Sequence, residues 1–244
     1  MKSMNRIFAT AGLLLGLGLS SPAALSSGTL NASITDGNLS GYASTINVTS
    51  GDVGGSYLTA LTLTLNISGG YNGDLYAYVS HNGVLVPLIN RVGVSSADAL
   101  GYDNAGFTIT LSASGANNVH LYQDYSPTYS GGQLTGTWQP DGRAISPLSA
   151  SGSFDAAPSV GFSAYNGMDP VGNWTLYVAD VVGGSYGSST LNSWSMDITA
   201  VPEPMNVAAG LFAAVFAGFH LFRFTRSKRR GVPNASAPSA GVKA

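Results

Sequence analysis

Aspartate is the residue type in this chain with the most chemistry to offer. Between Leu25 and Ala200 there are eleven Asp and no Glu, against two arginines, Arg91 and Arg143, and no lysine, so this stretch carries a net charge of −9. Calcium takes several hard oxygens from carboxylates and loop carbonyls. Asp74, Asp103, Asp169 and Asp180 stand at the ends of expected strands, among Gly and Asn turns, and are the candidate calcium ligands. Asp is also an ordinary turn former, because its side chain hydrogen-bonds the backbone two positions on. No Asp-x-Asp-x-Asp-Gly loop occurs, so turn-forming roles compete with calcium at each position.

Acid–base and nucleophilic catalysis has less to work with. The body holds only His81 and His120, and the chain has no cysteine. His81, in His81-Asn82-Gly83, is expected to be a solvated turn residue, and His120 is expected on the wet face of an edge strand. No Gly-x-Ser-x-Gly or His-Glu-x-x-His motif is present. A Ser-His-Asp triad needs no short spacing, and eleven Asp supply carboxylate pairs by number alone, but nothing positive points to either. The expectation is a protein that is not an enzyme, with a secreted hydrolase of unrecognised type as one alternative. Aromatic residues give the other. Trp138, between Gly136 and Pro140, suits the core and ligand stacking equally, and Tyr71 and Tyr186 lie near turns where their rings could stack on sugars. These three are the candidate stacking residues of a carbohydrate-binding module.

The elements that would position these residues are strands. Leu61-Thr62-Leu63-Thr64-Leu65-Asn66-Ile67 places a large apolar side chain at every second position, the pattern of a strand with one buried and one wet face. Similar patterning predicts strands over Ser44 to Thr49, Leu58 to Ile67, Asp74 to Ser80, Val84 to Ile89, Phe107 to Leu111, Trp174 to Ala179 and Leu191 to Ile198. Asn82-Gly83 between two alternating runs predicts a tight hairpin, since both residues tolerate positive φ. Trp174, Leu176 and Val178 should face the core, as should Trp194, Met196 and Ile198. Seven or more short strands, 32 glycines and a charged fraction of 9% in 244 residues predict an all-β protein, a jelly-roll-like antiparallel β-sandwich. The body lacks the clustered Lys and Arg that phosphate contacts require, which excludes nucleic acid as its partner.

Both termini read as addresses. Lys2 and Arg6, the apolar run from Ile7 to Leu19 and the small residues Ser20 to Ala24 form the three parts of a secretory signal peptide over 1–26, with cleavage suited equally to Ala23 or Ser26. At the other end, Pro202-Glu203-Pro204 precedes an apolar segment over 207–222, expected to be a transmembrane helix of about 24 Å at 1.5 Å per residue. Arg223, Arg226, Lys228, Arg229 and Arg230 follow, and by the positive-inside rule they stay cytoplasmic, so the body over 27–200 lies across the membrane. A Pro/Ala/Ser-rich tail over 231–244 is expected to be disordered.

The C-terminal arrangement over 201–230 resembles the PEP-CTERM sorting signal of Gram-negative bacteria: Pro202-Glu203-Pro204, a hydrophobic helix, then the basic cluster with Arg223, Arg226, Arg229 and Arg230. The resemblance implies an exosortase as partner, with Glu203 a recognition residue, and delivery to the cell surface or extracellular matrix, often with exopolysaccharide. A second resemblance runs through the body. Asn72-Gly73-Asp74-Leu75-Tyr76, Gly101-Tyr102-Asp103-Asn104, Gly136-Thr137-Trp138, Gly172-Asn173-Trp174-Thr175-Leu176-Tyr177-Val178-Ala179-Asp180 and Leu191-Asn192-Ser193-Trp194 are similar, in order and spacing, to the P domain of proprotein convertases. That similarity implies an eight-stranded jelly roll, here without a protease domain before it. Together they imply an exported, exosortase-sorted surface or matrix protein with a binding or structural role. It would be anchored in the inner membrane before processing and would meet extracellular polysaccharide afterwards.

Overall fold

The computed structural model describes residues 23–184, 186–202 and 204–229. They form two units, one ending at Val201 and the other beginning at Pro202. The first is built of eleven strands: β1 (Ala23–Ser26), β2 (Ala32–Ile34), β3 (Asn38–Val48), β4 (Tyr57–Gly69), β5 (Leu75–His81), β6 (Val84–Asn90), β7 (Gly106–Ser112), β8 (Tyr129–Ser130), β9 (Gln133–Trp138), β10 (Gly172–Asp180) and β11 (Ser189–Val201). One sheet runs β1-β11-β4-β7-β9-β8, with β2 also on β11, and the other runs β3-β10-β5-β6. Every pair is antiparallel except β7 with β9. This unit is all-β, two sheets packed face to face.

The alternation in β4 does what the sequence predicts: Leu61, Leu63, Leu65 and Ile67 are buried while Thr62, Thr64 and Asn66 are not. Facing them, Trp174, Leu176 and Val178 of β10 and Leu75, Ala77 and Val79 of β5 fill the space between the sheets, joined by Trp194, Met196 and Ile198 of β11. A hydrogen bond crosses the sandwich, from the Trp194 indole to Ser44 Oγ at 2.9 Å. The hairpin between β5 and β6 turns on Asn82 and Gly83 at φ 46° and 81°, with His81 opposite Val84.

Strand β9 has no clean alternation. Gly136 sits at φ +101°, a conformation that other residues rarely adopt, and only Leu134 and Trp138 are buried. Strand β1 lies within the segment read as signal peptide. Ala23 to Ser26 pair with Ile198 to Ser195, Leu25 packs on the core, and Ser27 accepts a hydrogen bond from the Trp194 amide. The folded body thus begins before residue 27. Cleavage after Ala23 keeps most of β1, whereas cleavage after Ser26 removes it and exposes the edge of β11. The intact mass of the exported protein is expected to start at Ala24; a start at Ser27 would contradict this.

The second unit contains α1 (Pro204–Arg229), which carries Arg223, Arg226 and Arg229. Among the described residues no helix is long and apolar enough to cross a membrane, so α1 does not bear out the transmembrane helix expected over 207–222. Glu203, Arg230, the tail over 231–244 and signal-peptide residues 1–22 lie outside the described residues.

Candidate functional site

Strand pairing sorts the loops into two ends. Asp180 closes β10 opposite Leu75, the first residue of β5, so Asp74 and Asp180 come together, and the Val181 amide donates to the Asp74 carbonyl at 2.8 Å. Asp36, from the turn between β2 and β3, joins them. Its carboxylate accepts from the Gly184 amide at 3.1 and 3.2 Å, while Asp180 Oδ1 accepts from the amides of Gly37 and Val182. The Asp74 side chain is 6% exposed and makes no hydrogen bond among the described residues.

Burial pushes the Asp74 carboxyl up to about 6; neighbouring Asp180 and Asp36 add to the rise and Arg91 opposes it. Burial likewise pushes Asp180 up to about 6, against the two amide hydrogen bonds and with Asp36 reinforcing it. A carboxyl raised in the folded state binds its proton more tightly there than in the unfolded chain. Its contribution to stability is therefore complete below the unfolded value of 3.8 and lost as pH rises through about 6. In the presence of chelator, the melting temperature is expected to fall between pH 4 and 7. Asp74→Asn should remove about 2 kcal/mol of that loss, roughly 4–8 °C at pH 7. A melting temperature that rises across this interval would contradict the assignment.

The four candidate calcium ligands do not form one site. Asp103 lies at the same end as Asp74 and Asp180; burial raises the phenols of Tyr71 and Tyr129, and Asp103 adds a smaller rise to each. Asp169 precedes β10, and its carbonyl meets His81, which pairs with Trp174, so at about 3.3 Å per residue along the strand it is on the order of 20 Å from Asp180. Its carboxylate accepts from the Val171 amide at 3.0 Å. Among the described residues no group of three or more His, Cys, Asp or Glu side chains is disposed to hold a metal ion.

The candidate stacking residues also divide. Trp138 is buried, its indole donating to the Thr135 carbonyl at 2.9 Å and its ring edge-on to Tyr122 at 6.3 Å, so it belongs to the core. Tyr71 is buried under Tyr186, ring centroids 4.4 Å apart, with its hydroxyl on the Gly101 carbonyl. Tyr186, 61% exposed, presents a ring to solvent.

Both histidines depart from expectation. His81 is not a solvated turn residue. It is buried, stacked on Trp174 at 4.1 Å, with Nδ1 3.0 Å from the Asn173 carbonyl and Nε2 2.8 Å from that of Asp169. His120 is not on an edge strand. It lies in 3-10 turns over Val119–Tyr125 that are kinked at Leu121, with Val119, His120 and Tyr122 buried. Its Nδ1 meets Asp141 Oδ2 at 2.7 Å and its Nε2 meets the Val94 carbonyl at 2.9 Å. Asp141 Oδ1 accepts from Arg143 Nη1 at 3.2 Å, the Arg143 Nε donates to the Phe154 carbonyl, and the Asn90 amide donates to Asp141 Oδ2. This network fastens the chain after β9 along β6, where Asp141 and Gly142 donate backbone hydrogen bonds to Leu88 and Pro87.

At the end of the sandwich away from Asp74 lie two adjoining depressions of about 440 and 280 Å³ that share Ala113, Phe162 and Ser163. Their walls come from the ends of β4 and β7 and from the segments at 139–140 and 158–166. None of the lining residues is ionisable.

No protein-family model and no curated protein matches this chain. Among solved structures it is similar to a serine protease of Aeromonas sobria and to the complex of the Aeromonas sobria serine protease with its chaperone, in each case at 15% identity and a TM-score of 0.40. Each match covers 74% of this chain and 26% of the other, so the chain spans about a quarter of the length of these proteins.

Proposed function

We propose that this is an exported protein of the cell surface or extracellular matrix whose body binds or builds and does not catalyse. In this reading the signal peptide carries it across the inner membrane. The C-terminal segment holds it at the membrane until an exosortase processes it at Pro202-Glu203-Pro204, ahead of the basic cluster with Arg223, Arg226, Arg229 and Arg230. The body is a P-domain-like jelly roll. We assign it no resident cofactor; calcium would have to act at the Asp36, Asp74 and Asp180 end, not at Asp169.

The observation that supports a non-catalytic body is the state of its two histidines. Each is 1% exposed, and each has both ring nitrogens against backbone carbonyls or a carboxylate. A general base must reach the proton it removes, and these rings are closed off and engaged. The experiment is fractionation of cells that possess an exosortase, comparing wild type with a variant in which Pro202, Glu203 and Pro204 are all alanine. Wild type should appear at the surface or in the medium without its C-terminal helix, and the variant should stay with the membrane. Identical distribution of the two would overturn the sorting step.

A further inference from the structure

The two adjoining depressions have a lining chemistry that separates ligand classes. Their polar side chains are hydroxyls and amides, and among these Ser163, Asn166 and Thr62 make no side-chain hydrogen bond among the described residues. Gln139 uses its amide nitrogen on the Gly115 carbonyl and leaves its oxygen without a partner. Pro140, Pro158 and Val160 supply apolar surface beside them. Hydroxyls both donate and accept, amides do one at each end, and the proline rings offer C–H surface. The combined volume falls in the range of small-molecule sites.

No cation is on hand for an acidic ligand. The two arginines of the body are committed elsewhere: Arg91 donates to the carbonyls of Gly73 and Ala99, and Arg143 is tied to Asp141 and the Phe154 carbonyl. The body's charge of −9 would repel a polyanion at any distance not screened by salt. The depressions also open onto a larger polar surface. Thr62 and Ser112, which line the smaller one, are paired across β4 and β7. The next outward rows of the same face are Thr64 with Thr110 and Asn66 with Thr108, about 6.8 Å from row to row along the strands.

From these features we infer that the groove around Ser163 and Asn166 is a binding site for an uncharged polysaccharide, whose chain continues onto the Thr-rich outer face of the β4–β7 pair. The inference rests on the binding reading proposed above and names the site and the charge class of its ligand. Because no ion pair contributes, binding is insensitive to salt.

The test is affinity electrophoresis of the full chain in mild detergent through gels containing dextran, galactomannan or polygalacturonate. Wild type should be retarded by at least one of the two uncharged polymers, equally at low and raised salt, and not by polygalacturonate. Ser163→Trp, which fills the groove from an exposed position, and Asn166→Ala, a smaller change, should each weaken retardation at least fivefold with melting temperatures unchanged. Thr45→Ala, on the outer face of the other sheet, should leave it intact. The inference is overturned if neither uncharged polymer retards the wild type, if polygalacturonate does so in a salt-dependent way, or if both groove variants behave as wild type. A surface-located protein that fails to be retarded overturns the groove alone, whereas a chain that remains in the cytosol overturns the function proposed above.

Discussion

Replacing Asp141 with alanine should lower the unfolding free energy by about 3–5 kcal/mol, the cost typical of removing one partner from a buried ion pair. Asp141 is fully buried and is the one carboxylate between two donors, the His120 ring at 2.7 Å and the Arg143 guanidinium at 3.2 Å. Without it the guanidinium keeps the Phe154 carbonyl and Asn118 Oδ1 but has no counter-charge in a site with almost no access to water. The His120 ring loses the carboxylate at its Nδ1. Asp141→Asn keeps the shape and one acceptor oxygen, so its loss should be smaller, on the order of 1–3 kcal/mol. The midpoint of urea unfolding, followed by tryptophan fluorescence, reads both. Because Asp141 and Gly142 also cover the edge of β6, the alanine variant should become susceptible to protease between 144 and 158. An alanine variant within 1 kcal/mol of wild type would show that the network is not a structural clamp.

Trp174→Ala should cost a similar 3–5 kcal/mol. The indole is wholly buried near the start of β10, with the His81 ring parallel to one face at 4.1 Å and Tyr165 edge-on at 4.9 Å. Its N–H donates to the Pro170 carbonyl at 2.9 Å. Truncation therefore removes a large apolar area, leaves a cavity between the sheets and strands a buried carbonyl. It also takes away the surface on which His81 rests, so the His81 ring signals in an NMR spectrum should shift with it. Trp174→Phe keeps the stacking and loses the hydrogen bond, and its cost should be less than half. Calorimetric melting of the three proteins checks the order, and equal losses for Ala and Phe would show that the hydrogen bond, not the packing, dominates.

Much of this architecture is written in short-range pattern. The alternation in Leu61 to Ile67 and in Trp174 to Val178 specifies which face each strand buries, because the side-chain period of a strand is two, and Asn82-Gly83 specifies its hairpin by backbone conformation alone. What was hidden depends on contacts between distant segments. Gly136 breaks the alternation of β9, so Trp138 gives no sign of its inward orientation. Val119-His120-Leu121-Tyr122 reads as an edge strand, yet the chain there forms kinked 3-10 turns whose His120 meets the Asp141 carboxylate twenty-one positions on. Pro140-Asp141-Gly142 reads as a plain turn, and nothing local marks its aspartate as the centre of a buried network. The pairing of Asp74 with Asp180 follows from β5 lying beside β10, which the sequence does not state. The separation of Asp169 from Asp180 does follow, since a strand that joins two residues holds them apart. The groove draws on short irregular segments with no period at all, and only the folded chain brings Ser163, Asn166 and Thr62 to one surface.

The most direct measurement is chemical labelling of intact cells. The chain has no cysteine, so Thr137→Cys, at an exposed position of β9, introduces a single thiol into the body. A membrane-impermeant maleimide added outside should label that thiol without lysis, on a protein that has lost its N-terminal signal. Labelling only after the cells are broken, on a chain with both ends intact, would contradict export and with it the account of the body as a surface binding protein.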